Sequence, residues 1–422
     1  MPRIATGRNS AMINRPSYIR QMKAFQDKDL IKILTGVRRC GKSTLFVLFR
    51  QELLRQGVRP EQILGINLED VANEPLLDYH KLHDYITERM QPDARNYVFL
   101  DEIQNVPDFQ RAVRSLMDRG NIDLYLTGSN SRLQSGEWAT SIAGRYVEIH
   151  VLPLSLKEYA DARPELRGNP DALYDAYLHD TAFPQATHFN TDRHEEETAR
   201  YLEDLYHSIV IKDIAANKGI REIARLERVL GFMANAIGSE ISVKKIADTM
   251  TSDGIRMAVN TVESYLQAFR DSYLLYKVDR YDVKGRKLLK TLNKYYLVDL
   301  GLRTLLMGQD REDTGHMLEN LVYFELLRRG YRVTIGKLER WDAEARKMKA
   351  VEVDFVARKG KEISYYQVSE SIIDPKTRER ELASLQAIGD HYPKFILTRD
   401  YSTASYDGIR HMNVIRWLLA EE

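Results

Sequence analysis

Apolar and polar positions along this chain follow two periods in turn. The run DLIKILTG (29–36) is short, largely apolar and ends on a glycine, the pattern of a buried strand; after VRRCG comes KSTLFVLFRQELLRQG, with apolar residues three and four apart, the pattern of a helix that closes at Gly57. Further strand-like runs lie in NYVFLDEIQ, DLYLTGSNS and SIAGRYVEIHVLPLSLKEY, so residues 1–155 predict an α/β domain with a parallel sheet. Residues 156–225 change period. LSLKEYADA, PDALYDAYLHD and EEETARYLEDLYHSIVIKDIAAN read as helices broken by TAFPQATHF. In 226–300, LERVLGFMANAIG, ISVKKIADTMT and MAVNTVESYLQAFRDSYLL predict three helices, and LYKVDRYD with KLLKTLNKYYLVD predicts a hairpin turning at Lys284, Gly285, Arg286 and Lys287. That order predicts a winged helix-turn-helix. Residues 301–422 return to α/β, with a helix at GHMLENLVYFELLRRG, strands at KAVEVDFVARKG and KEISYYQVSES, a helix at TRERELASLQAIG and a strand at KFILTRD.

Composition changes this picture little. At 422 residues the chain exceeds one typical core, and 43% hydrophobic with 29% charged residues is the balance of a folded protein. The opening MPRIATGRNSAMINRPSYIR has no apolar run of the secretory kind, and no apolar stretch is long enough for a bilayer, so a cytoplasmic location with no membrane partner is expected. The one cysteine, Cys40, excludes an internal disulfide, argues against a thiolate metal site and reads as a small filler. A net charge of +1 conceals local bias, since residues 1–50 hold eleven Lys and Arg against Asp27 and Asp29. Such runs are ordinarily solvated faces.

Candidate chemistry begins between the first strand and helix. Gly36, Val37, Arg38, Arg39, Cys40, Gly41, Lys42, Ser43 and Thr44 fit G-x-x-x-x-G-K-[ST], in which a curled backbone and a helix N-terminus turn N–H groups toward phosphates, Lys42 adds positive charge at the β- and γ-phosphates, and Ser43 can ligate magnesium. Near the end of the next apolar strand stand Asp101 and Glu102, where α/β sheets place ligands. Asp101 is expected to hold magnesium through its water shell, and Glu102 to orient and deprotonate the attacking water. Ser129 and Asn130 end another strand, where one of them can reach the γ-phosphate or the water; Arg145 precedes the fifth strand, where an arginine can act as a finger on a neighbouring subunit's nucleotide or equally form a surface ion pair. A guanine reader is not found, because Asn293-Lys294 is followed by two tyrosines and no carboxylate.

Together TGVRRCGKSTL, NLED (67–70), VFLDEIQNV, LTGSNS, AGRYVEIHVLPLSLKEY and YYLVDLGLR resemble the prokaryotic AAA-type ATPases that carry a C-terminal region of unassigned function. The resemblance implies ATP binding and magnesium-dependent hydrolysis, a homo-oligomer, Ser129 or Asn130 as sensor, Arg145 as finger, and a helical lid for 156–225. The C-terminal order resembles the restriction-endonuclease-like fold. Glu319 and Asp354 fit the first two acidic positions of its magnesium site, but Gln367 and Ser369 stand where a carboxylate and a lysine belong. A neutral amide holds a hard dication weakly and no lysine is at hand, so a binding or assembly module is expected there rather than a nuclease. Two partners are compatible with the middle region. The hairpin's Arg280, Lys284, Arg286, Lys287, Lys290 and Lys294 would meet DNA phosphates, whereas winged helices also bind protein. The function expected is an ATPase that switches or drives a partner interaction; the alternatives are a nucleotide-gated DNA binder with little turnover and an ATPase-linked nuclease.

Overall fold

A computed structural model describes residues 12–128, 144–189, 194–216, 218–308, 314–342, 346–402 and 404–420. The chain divides into two compact units. The first runs to Pro153 and adds Phe183–His188 and Asp271–Tyr273; the second takes Leu154–Ala182, Phe189–Arg270 and Leu274–Glu422.

The first unit is built on five parallel strands, β1 (Ile31–Thr35), β2 (Ile63–Asn67), β3 (Asn96–Asp101), β4 (Ile122–Thr127) and β5 (Tyr146–His150), in the order β2-β3-β4-β1-β5. Strands β1, β3 and β4 are buried throughout, which is why they read as continuous apolar runs rather than alternating ones. Ile33, Val98, Leu100, Leu124 and Leu126 pack with Leu82 and Ile86 of α3 (Tyr79–Arg89) and Val113 and Leu116 of α4 (Phe109–Met117). Phe46 and Phe49 of α2 (Lys42–Arg55) meet Phe99 edge-on, and Phe99 stacks on Tyr125 at 4.7 Å. Register fixes what the sheet presents. Leu34 lies opposite Thr127 and Leu100 opposite Leu126, so Gly36, Asp101 and Gly128 emerge along one carboxyl edge.

The second unit carries an eight-stranded mixed sheet, ordered β12-β13-β11-β10-β9-β8-β6-β7. Its strands are β6 (Leu275–Asp282), β7 (Lys287–Leu297), β8 (Arg332–Asp342), β9 (Lys347–Lys359), β10 (Glu362–Val368), β11 (Lys394–Thr398), β12 (Ser405–Tyr406) and β13 (Ile409–Asn413). The helices expected before the hairpin are present as Ile223–Asn235, Val243–Ser252 and Val259–Asp271, and Ile241 forms a single antiparallel bridge to Asn293 of β7. The hairpin does not stand apart, however. Strand β6 pairs in parallel with β8, Arg280 opposite Ile335, and Tyr281 joins one core with Leu338, Val353 and Val356. The division drawn at 300/301 therefore runs through a single sheet, and the one at 225/226 falls inside the second unit.

Candidate active site

The loop after β1 owes its shape to residues that tolerate left-handed backbone. Gly36 has φ +138°, and a β-carbon there would come within 2.1 Å of the Val151 carbonyl oxygen, so only glycine fits. Arg39 at φ +66° and Gly41 at φ +102° complete the curl, and α2 begins directly after Gly41. Reversals of this kind make a concave row of N–H groups that suits an anion. Cys40 is fully buried and its thiol is pushed up by burial, hence neutral, as a filler would be. Lys42 is buried and donates to the carbonyls of Gly36 at 3.0 Å and Val37 at 3.2 Å. Ser43 and Thr44 are exposed at the helix start, and Arg39 is exposed beside them. Arg38 forms a long ion pair, 3.6 Å, with Glu69 of the NLED segment.

The two acids ending β3 have different surroundings. Asp101 is buried and receives hydrogen bonds from the hydroxyls of Thr127 and Ser43. Burial raises its pKa, the two hydroxyls and Lys42 oppose that shift, and Glu102 adds to it. Glu102 sits at φ +56°, an uncommon backbone for glutamate, held by the Thr127 hydroxyl, which accepts from its N–H at 2.9 Å. Its carboxylate takes a hydrogen bond from the Gln104 amide, whose own oxygen is buried with no hydrogen-bond partner among the described residues. Behind the loop, the Thr35 hydroxyl donates to Glu148 and lies 3.1 Å from Nδ1 of His150. Burial, aided by Lys42, pulls His150 down to about 4, so this ring is neutral at pH 7. The Tyr273 ring lies 4.9 Å from it.

Of the residues singled out in the sequence, Gly36, Arg38, Arg39, Cys40, Gly41, Lys42, Ser43, Thr44, Asp101 and Glu102 thus gather at one edge of the first sheet. Ser129 and Asn130 lie outside the described residues. Arg145 does not join the group. It precedes β5, its carbonyl accepts from Ile31 at the start of β1, and its side chain faces Asp118 at 3.5 Å, so it occupies the amino edge, opposite the loop. Sequence reasoning passed over Arg15 and Gln104. Gln104 stood inside the quoted LDEIQ run, two residues after the glutamate, whereas Arg15 carried no motif at all.

The second unit holds a separate ionic cluster. Lys294 of β7 is buried and pairs with Glu319 at 2.8 Å and Glu352 at 2.7 Å; Tyr296 also donates to Glu319. Lys337 continues the chain of pairs to Glu352, at 2.7 Å, and to Glu240, which also faces Arg280 at 3.2 Å. Asp354 accepts from the Val368 N–H at 2.8 Å, and burial beside Glu319 raises its pKa well above the usual carboxylate range. Gln367 is tied to Glu381 and Ser384. Two expectations change here. Lys294 and Arg280 are bound inside the fold rather than offered to phosphates, and a lysine does stand beside Glu319, arriving from β7 rather than from the strand that carries Gln367 and Ser369.

A family profile described as an AAA domain matches residues 28–160, and one described as a domain of unknown function matches 171–313. An uncharacterized protein of Haemophilus influenzae is 37% identical over 97% of this chain and 100% of its own length. The uncharacterized protein MJ1544 of Methanocaldococcus jannaschii is 27% identical, covering 77% of this chain and 71% of itself. Among solved structures, the Walker-type ATPase PABY2304 of Pyrococcus abyssi superposes with a TM-score of 0.51 at 14% identity, over 71% of this chain and 97% of that one.

Proposed function

Since this chain belongs to the AAA-domain family, in company with a Haemophilus influenzae relative that matches it from end to end, we propose that it binds ATP with magnesium and hydrolyses it to switch or drive its hold on a macromolecular partner. One observation carries the reading: the Ser43 hydroxyl rests on the buried Asp101 carboxylate, next to Lys42 and a glycine loop, with Glu102 adjacent. These oxygen donors suit a small hard cation, and Ser43 and Asp101 are the residues that would hold it. Magnesium, when bound, neutralises charge on the β- and γ-phosphate oxygens. Lys42 exchanges the Gly36 and Val37 carbonyls for phosphate oxygens. Glu102 orients water and takes its proton as the water attacks the γ-phosphorus; the bond from that phosphorus to the β–γ bridging oxygen breaks, and ADP and phosphate leave. Ser129 or Asn130 senses the γ-phosphate. Arg145, on the opposite edge from its own loop, serves as a finger only in a homo-oligomer, toward the nucleotide of another copy.

DNA is the partner we infer. Support rests on Lys284, Arg286 and Lys287, exposed at the hairpin turn, and on the exposed polar residues Asn260, Glu263, Ser264 and Gln267 of the third helix, in an element order that matches a winged helix. The test is a steady-state ATPase assay with and without duplex DNA at two salt concentrations. Stimulation that fades with salt is expected, because each phosphate contact releases a counterion; no stimulation at either concentration transfers the role to a protein partner. Glu102→Gln is expected to bind ATP yet lose turnover by at least 100-fold, about 3 kcal/mol of barrier. Retention of every DNA response in that variant favours the second reading, a nucleotide-gated DNA binder. Cleavage has less support, since the acids it needs are already engaged by Lys294, Tyr296 and the Val368 N–H.

A further inference from the structure

Arg15 belongs to no motif and precedes the first strand, yet it is 3% exposed and holds the phosphate loop. Nη1 donates to the Cys40 carbonyl at 3.0 Å, while Nη2 donates to the carbonyls of Leu152 at 2.9 Å and Pro153 at 3.3 Å, just beyond β5. The guanidinium lies 4.5 Å from the Tyr18 ring centre, and the Tyr18 hydroxyl accepts from the Leu152 N–H at 3.0 Å. One rigid fork thus ties the loop to the segment after β5, a task a lysine's single ammonium cannot copy.

The Cys40 carbonyl matters because it belongs to the peptide that joins Cys40 to Gly41. In a planar trans peptide the C=O and N–H point in opposite directions, and no described peptide bond here is cis. Drawing that carbonyl toward Arg15 turns the Gly41 N–H the other way, and Gly41 stands immediately before α2. Arg39 and Gly41, left-handed on either side of Cys40, would allow this peptide to rotate if nothing gripped it.

We propose that Arg15 is a positioning residue: it fixes the orientation of the Cys40–Gly41 peptide and so pre-forms the phosphate cradle without touching nucleotide. The proposal rests on the ATP-binding reading above. It assigns Arg15 to phosphate affinity in particular, because the cradle meets the β- and γ-phosphates and not the base or ribose.

The test is calorimetric titration of the full-length protein, wild type, Arg15→Ala and Arg15→Lys, with magnesium-ATP and ADP, and in parallel with AMP. Expected is a loss of about tenfold in ATP and ADP affinity for Arg15→Ala, the worth of a charge-assisted hydrogen bond, and a smaller loss for Arg15→Lys. AMP affinity is expected to stay within twofold of wild type. Unchanged ATP affinity in either folded variant overturns the proposal, as does an equal loss for ATP and AMP, which marks a merely structural role. Should Arg15→Ala not fold, Arg15→Lys decides, since it keeps the charge and the stem but not the fork. A wild-type protein without ATP affinity defeats the nucleotide reading itself, which is a different result from either.

Discussion

Glu102 and Gln104 show what single residues contribute at this site. The glutamate has an uncommon backbone angle, φ +56°, and its carboxylate is held by the Gln104 amide, while the amide's own oxygen is buried and unpartnered among the described residues. A buried polar atom left open costs about 1–3 kcal/mol, so the arrangement persists only where it serves the carboxylate it restrains. Gln104→Ala is expected to lower kcat about tenfold with KM within twofold, because the base loses its orientation while the phosphate cradle keeps its shape. Steady-state kinetics decide this, and a rise in kcat would show that the amide holds the carboxylate away from the water rather than aiming it. The phosphate loop and acid pair were legible in the sequence because glycine, lysine and paired carboxylates at fixed spacing leave few alternatives. Arg15 was not legible: its work is done on carbonyls 25 residues or more away, and any sequence can supply a carbonyl.

At the scale of elements, local periodicity located the strands and helices but could not say which strands share a sheet. The hairpin at 275–297 has the length and turn of a free wing, and nothing local marks β6 as pairing with β8. Lys294 was misassigned for the same reason. Its basic neighbours made it read as a phosphate contact, whereas its partners, Glu319 on the helix Thr314–Arg328 and Glu352 on β9, come from sequence far downstream. Removing the ammonium leaves Glu319 buried beside Asp354 without its cation, while Glu352 keeps Lys337. Lys294→Met is therefore expected to lose about 3–5 kcal/mol of stability in urea unfolding, the usual cost of stranding a buried charge, and Glu319→Gln in the same chain to recover part of it. DNA-stimulated turnover should follow Lys284, Arg286 and Lys287 instead. A Lys294→Met protein that is fully stable yet weak on DNA would return this lysine to the phosphate-contact role.

For the whole molecule the question is how events at the nucleotide reach the second unit. The chain re-enters the first unit twice after leaving it, at Phe183–His188 and at Asp271–Tyr273. Both returns pack near the loop: Pro184 lies 3.6 Å from where a Gly41 β-carbon would sit, and Tyr273, at φ +58°, sets its ring against His150. A tyrosine held in left-handed backbone is strained, and strain of this kind is sustained only by surroundings that fix it. Each return is covalently continuous with the second unit, and Asp271 is the last residue of the helix read as DNA-facing. A switch requires that nucleotide bias both units, because a ligand shifts an equilibrium only by its differential affinity for the two states. In scanning calorimetry, magnesium-ATP at 100 times its Kd adds about 2.7 kcal/mol to the unit that binds it, roughly 5–10 °C for a body of this size. If the turns at 183–188 and 271–273 carry the signal, the transition of the second unit moves as well, and Tyr273→Gly, which relieves the backbone strain and removes the ring from His150, abolishes that second shift while leaving the first. A second transition indifferent to nucleotide in the wild-type protein would leave two tethered units with no nucleotide signal passing from the first to the second.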